Sequence, residues 1–199
     1  MIKNSWVFYL CRFLCAATFR CIWRRTIIGH ENIPLTGGVI IAPNHVSFAD
    51  PPLVGSATRR PLFFMAKKEL FDIPVLGQLI KRTNTFPVRR GHNDISAIRT
   101  GEGLLESGEC LLVFPEGTRS KDGTFGVARS GCGMLACHTQ KPVVPTRVVN
   151  SSVMAGFKKL YVIFGKPLYP PREYTKESYQ QFSEQVLQAV QNLHAPGEA

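Results

Sequence analysis

The chain has 199 residues, 44% of them hydrophobic, which is the size and composition of one globular domain rather than two. Lys and Arg number 24 against 14 Asp and Glu, a formal net charge of +10, so the surface attracts something anionic: nucleic acid, an anionic leaflet, or acidic substrates and carriers. Cys11, Cys15, Cys21, Cys110, Cys132 and Cys137 form no CxxC pair and no Cys/His zinc spacing, which argues against a metal site and a disulfide framework and fits a reducing cytosol.

Residues 1–28 are rich in large apolar side chains (Trp6, Phe8, Leu10, Phe13, Leu14, Phe19, Ile22, Trp23), but Lys3, Arg12, Arg20, Arg24 and Arg25 interrupt them. The longest uncharged stretch, Asn4 to Cys11, falls far short of the ~20 apolar residues of a spanning helix, and no small-residue cleavage site follows an apolar core. This segment reads as an amphipathic membrane-interface helix, with Trp6 and Trp23 at headgroup level, or alternatively as a core helix. Residues 29–199 form the remaining unit. Strand-like runs at 38–43, 61–66, 84–88, 110–115, 142–149 and 159–164 alternate with helix-like runs at 50–58, 68–81, 93–107 and 131–139. That alternation predicts a single α/β domain with a largely parallel central sheet flanked by helices. A last helix starts at Thr175 and carries Tyr179, Phe182, Val186, Val190 and Leu193 on one face.

Three polar clusters close predicted strands, and the C-terminal ends of strands are where open α/β sheets place their ligands. In NHVSFADPP, Asn44 to Pro52, an imidazole and a carboxylate stand five positions apart. Asp50 before Pro51 is a helix start, where the carboxylate can cap free N–H groups; alternatively it accepts from one ring nitrogen of His45 and leaves the other as a general base. FPEGTRS, Phe114 to Ser120, is a turn with one acid and one base. Gly117 allows backbone N–H groups to approach an anion, and Arg119 adds a planar fork suited to phosphate, or pairs with Glu116 in a surface turn. FPVRRG, Phe86 to Gly91, ends with Arg89 and Arg90.

With these blocks in order, the sequence resembles the glycerophospholipid acyltransferases typified by 1-acyl-sn-glycerol-3-phosphate acyltransferase. Asn44, His45 and Asp50 match the first family block, and Phe114 through Ser120 match the third without a change. Arg90 stands in the arginine place of the second block, with Arg89 where an aspartate is common, and Val143, Val144 and Pro145 resemble the fourth. AKKELFDIPVLG, Ala66 to Gly77, looks like the family's linking segment. The resemblance implies acyl transfer from a thioester, acyl-coenzyme A or acyl carrier protein, to a lysophospholipid hydroxyl. It implies no metal or other cofactor, no nucleic acid partner, and a peripheral or monotopic place on the cytoplasmic face of an anionic membrane. It also casts His45 as the general base, Asp50 as the residue that orients it, and Glu116, Gly117, Arg119, Arg90 and Lys67 as the acceptor-phosphate site.

Such chemistry is coherent with these residues. A thioester is already activated, so the protein must deprotonate the attacking hydroxyl, hold it near the carbonyl and stabilise the oxyanion. The turn around Gly117 and the helix start near Asp50 are the places to look for oxyanion donors. No GxSxG elbow supplies a serine nucleophile. Two other readings stay open: a basic binding module with an incidental histidine, and a cysteine nucleophile, with Cys137 beside His138.

Overall fold

The computed structural model describes residues 4–89, 94–120 and 123–197. Seven strands form one sheet: β1 (Thr26–Ile28), β2 (Val39–Pro43), β3 (Leu62–Lys67), β4 (Thr85–Val88), β5 (Cys110–Leu112), β6 (Val143–Val149) and β7 (Tyr161–Phe164). Their order is β1-β7-β6-β2-β5-β3-β4, parallel throughout except for the β6–β7 pair. The expected α/β architecture is therefore present.

Burial explains the order. All five residues of β2 and all three of β5 are buried, as befits central strands covered on both faces. Alternation divides β2 between two cores. Val39 and Ile41 pack with Phe19, Leu53, Val54 and Leu160, whereas Ile40 and Ala42 pack with Leu105, Leu135, Phe182 and Val186. The first core lies under α1 (Trp6–Cys21) and α2 (Asp50–Gly55). The second lies under α4 (Ile95–Glu106), α5 (Gly131–Thr139) and α6 (Lys176–Gln191). Proline marks the sheet's exceptions: Pro87 sits in edge strand β4, and Pro145 lies just before β6 begins its antiparallel pairing with β7 at Thr146.

Three expectations need correction. The helix expected over 68–81 is split into a 3₁₀ turn, Lys68–Phe71, and α3 (Leu76–Lys81). Pro74 disfavours helical backbone at Ile73, and Val75 takes a positive φ of 66°. Second, β1 was not anticipated, and it lies inside the segment read as membrane-associating. Third, Trp23 and two of the arginines of that segment face the protein. Trp23 stacks on Phe157 and donates its indole N–H to Met154 O at 2.8 Å. Arg25 donates to Ser56 Oγ at 2.6 Å and to the Leu53 and Ser56 carbonyls, and Arg12 donates to the Thr58 and Arg59 carbonyls. Both arginines thus meet the carbonyl end of α2 and the turn after it, where cations are favoured.

What remains of the amphipathic reading is the helix itself. α1 turns Phe8 and Phe19 inward and leaves Trp6, Leu10, Phe13 and Leu14 exposed. Those four recur at the helical period, so they form one outward stripe. Among the described residues, no helix is long and apolar enough to cross a membrane.

Candidate active site

Parallel pairing brings the C-terminal ends of β2, β5, β3 and β4 side by side on one edge. His45 follows β2, Glu116 to Arg119 follow β5, Lys67 ends β3 and Arg89 follows β4. Strand spacing of ~4.8 Å puts the end of β3 roughly 10 Å from that of β2, and the end of β4 roughly 14 Å away. Arg90 lies outside the described residues.

The imidazole and carboxylate meet. His45 Nδ1 is 2.9 Å from Asp50 Oδ2, and both side chains are buried. The same oxygen accepts the backbone N–H of Val46 at 2.8 Å and of Ser47 at 2.7 Å. Asp50 therefore reaches back over the preceding loop instead of capping α2, contrary to one reading of the sequence. The reason is local: Pro51 and Pro52, the next two residues, have no N–H to offer. An acceptor-only carboxylate at Nδ1 puts the proton on that nitrogen and leaves Nε2 as the basic one.

The second loop fixes the first through its main chain. Glu116 is buried, its Oε1 accepting the His45 N–H at 3.1 Å and its Oε2 the Gly126 N–H at 2.7 Å. The Ser120 N–H donates to His45 O at 2.8 Å. Phe114 stacks on the His45 ring with 3.8 Å between centroids and 15° between planes. Arg119 lies over the exposed ring of Phe48 at 3.7 Å, a cation–π contact that joins the two loops again. Beneath them, Asn44 binds both backbone groups of Val148, accepting its N–H at 2.7 Å and donating to its carbonyl at 3.1 Å, so the end of β2 is tied to β6.

The residues expected at an anion site divide accordingly. Arg119 is exposed beside the histidine loop. Lys67 is half exposed, its Nζ 3.2 Å from Glu69 Oε1. Each carboxylate oxygen of Glu116 accepts a backbone N–H, and through these two bonds it holds the loop. Gly117 supplies the turn, with φ 68° and its N–H given to Phe114 O at 3.0 Å, and an added Cβ would lie 3.2 Å from Arg129 Cγ. The amides of Gly117, Val46 and Ser47 are thus committed internally, and the two places where oxyanion donors were expected do not offer them through these three groups. At β4, the Arg89 N–H donates to Asp94 Oδ2 at 2.8 Å, so the residue capping α4 also holds the backbone just after β4.

Sequence reasoning missed Phe114 and Phe48 as partners of the site. Both stand inside the blocks it singled out, and an aromatic beside each catalytic candidate was the available signal. The cysteine reading loses its physical basis. Cys110, Cys132 and Cys137 are buried, and burial pushes the Cys110 thiol up to about 11 and the Cys132 thiol up to about 12, with Cys137 also raised. Cys110 moreover begins β5, at the edge of the sheet opposite His45.

The sequence model of the acyltransferase family matches residues 24–149, a span that holds His45, Asp50, Lys67, Glu116 and Arg119. The chain belongs to the acyltransferase family. The enzyme is 33% identical over 147 residues to the 1-acyl-sn-glycerol-3-phosphate acyltransferase of Bacillus subtilis, covering 72% of this chain and 73% of that one. It is 29% identical over 158 residues to the chloroplastic 1-acyl-sn-glycerol-3-phosphate acyltransferase BAT2 of Brassica napus, covering 74% of this chain but 46% of that one. In fold, this acyltransferase is similar to the crystal structure of the 1-acyl-sn-glycerophosphate acyltransferase PlsC of Thermotoga maritima, with a TM-score of 0.75 over 95% of this chain and 81% of that one, at 24% identity.

Proposed function

We propose that this acyltransferase moves a fatty acyl group from an acyl thioester, carried by coenzyme A or acyl carrier protein, to the free hydroxyl of a lysophospholipid at an anionic membrane surface. The acceptor is 1-acyl-sn-glycerol-3-phosphate, after which the relatives above are named, and the product is phosphatidic acid. The observation that carries this reading is the buried His45–Asp50 pair at 2.9 Å, with a carboxylate that two backbone N–H groups also hold in place.

The steps follow from that geometry. Nε2 of His45 takes the proton of the acceptor hydroxyl as its oxygen attacks the thioester carbonyl. Asp50 keeps the imidazole in the reactive tautomer and stabilises the imidazolium as it forms. Collapse of the tetrahedral oxyanion expels the thiolate, which recovers the proton from Nε2. Phe114, stacked on the ring, limits rotation of the base away from the hydroxyl. Arg119 is the phosphate-binding side chain nearest the base along the sheet, and Lys67, at the end of β3, extends the cationic edge toward β4.

Purified protein incubated with acyl-coenzyme A or acyl carrier protein against a series of lysophospholipids tests the reading. Thiol release that depends on 1-acyl-sn-glycerol-3-phosphate and yields phosphatidic acid is expected. Thiol release to a neutral lysolipid alone would refute the acceptor assignment.

A further inference from the structure

Between β3 and β4 the chain makes an apolar projection that nothing in the described structure covers. Ile73, Val75, Leu76 and Leu79 are all exposed, Val75 to 82%. Val75 sits at φ 66°, ψ −59°, and the Leu76 N–H donates across it to Pro74 O at 2.7 Å. This is a γ-turn of the rare, strained kind. A β-branched residue is the poorest occupant of positive φ, and a glycine would hold the same turn without strain. The protein instead spends conformational energy to hold an aliphatic side chain out in water. Both features are unfavourable for the free protein, which points to a contact made outside the chain.

Three further observations select that contact. Lys67 and Lys68 precede the projection and Lys81 and Arg82 follow it, against Glu69 and Asp72, so an apolar tip is framed by an excess of positive charge. Ser5 Oγ donates to Arg82 O at 2.5 Å, and Asn4 and Asn84 exchange two hydrogen bonds, of 2.7 and 2.9 Å. The exposed stripe of α1 therefore begins beside the turn that ends α3, and Trp6, 74% exposed, is the first residue of that helix. The projection also leaves the sheet from β3, on the edge that holds His45.

We infer that residues 73–79 are a second lipid-inserting element, which enters the same anionic leaflet as α1 and sets the His45 edge of the sheet against the headgroup layer. Apolar side chains enter the acyl boundary while the flanking lysines and Arg82 stay among the anionic headgroups. The inference rests on the membrane location proposed above and is independent of which lysolipid is acylated.

The test is insertion measured directly. In a Trp6→Phe background, Val75→Trp places a fluorophore at the tip, and Trp23, bonded to Met154 O, serves as the internal reference. With vesicles of phosphatidylglycerol and phosphatidylcholine, the tip emission should shift to the blue, and lipids brominated on the acyl chain should quench it. Sedimentation with the vesicles but no quenching would mean that α1 docks alone and would overturn the inference. A blue shift with acyl carrier protein and none with vesicles would overturn it in favour of a protein partner. Independently, Val75→Asp with Leu79→Asp should lower vesicle partitioning about tenfold or more, because two carboxylates would have to enter the interface. Acylation of a short-chain, water-dispersed lysolipid should stay unchanged; unchanged partitioning would count against insertion. Quenching by a protein that transfers no acyl group would leave the insertion standing and remove the proposed activity.

Discussion

The two loops around His45 and the outer side of α1 and α3 solve opposite problems within one sheet edge's reach of each other. At the loops, His45 is held from inside the protein: its Nδ1 by Asp50, its main-chain N–H by Glu116, its carbonyl by Ser120 and its ring face by Phe114. At the outer side, Trp6, Phe13 and Val75 are held by almost nothing and meet solvent. Rigid polar groups aimed in advance favour a transition state because no reorganisation is needed at the moment of reaction. An apolar surface gains its free energy only when a partner removes it from water. The first region should therefore respond to mutation in rate and the second in location.

The largest effect should come from breaking the held base. His45→Ala should lower kcat by about 10²–10⁴, the usual worth of general-base catalysis, with little change in donor binding or in the thermal midpoint. Asp50→Asn should also be severe, because an amide can present its NH₂ to Nδ1 and favour the wrong tautomer. Steady-state kinetics beside a thermal melt check both.

Next in size, the inner side of α1 separates packing from docking. Phe19→Ala should cost about 3–5 kcal/mol of stability in denaturant unfolding, as deletion of a buried aromatic does. Phe13→Ser, six residues earlier and outside, should change stability by no more than about 0.5 kcal/mol while weakening vesicle binding. Equal losses of stability in the two variants would contradict the inner and outer assignment.

Smaller again is Glu116→Gln. One of the two amides, His45 N–H or Gly126 N–H, would face an NH₂ group in place of an acceptor, which costs about 1–3 kcal/mol for a buried unsatisfied donor. Stability should fall in either orientation, and kcat should fall with it where the NH₂ faces the His45 N–H, the bond that fixes that residue's main chain. A fall confined to acceptor KM would mean that Glu116 touches the acceptor after all.

The smallest effect is a matter of pH at the edge of the site. Asp94 accepts from the Arg89 N–H, from Ser96 Oγ and from the Ala97 N–H, and these bonds lower its carboxyl from 3.8 to about 2. A lowered folded-state value stabilises the protein above the unfolded one, so this contribution is complete above pH ~4 and is lost as pH falls through about 2. The amide signal of Ala97 should titrate over that window, and Asp94→Asn should flatten it.

Much of this comparison was legible in the residues, and the illegible part has a physical pattern. The central strands were readable because β2 is an unbroken apolar run, and α6 because its stripe repeats at the helical period. Edge strand β1 was not, because three half-buried residues carry neither signal. The His45–Asp50 pairing was one of two readings that the spacing allowed, and the family resemblance favoured it, whereas the use of Glu116 was not legible. A carboxylate in a turn looks the same in sequence whether it meets a ligand, an arginine or two backbone amides, and only tertiary placement decides. For the same reason Trp23 was expected at headgroup level and instead donates to Met154 O, while Arg12 and Arg25 meet the end of α2 and the turn after it. A Pro–Val step inside a helix-like run reads as a break at best, and the strained turn at Val75 leaves no mark of its own.

Asn4 and Ser5 are bonded to the turn that enters β4 at one margin of the sheet, and some twenty residues later the chain joins the opposite margin as β1. Seven strands have six gaps, ~29 Å in all at ~4.8 Å each, and the 16 residues of α1 measure ~24 Å, so the helix nearly matches the breadth it has to traverse. It acts as a girder fastened at both ends. Such a member cannot swing outward to reach a bilayer without tearing an edge strand from the sheet, so any lipid held on its outer side is held at a fixed inclination to every strand beneath it. Whatever angle a docking surface were to impose on the girder would be imposed in the same instant on the sheet edge that carries His45.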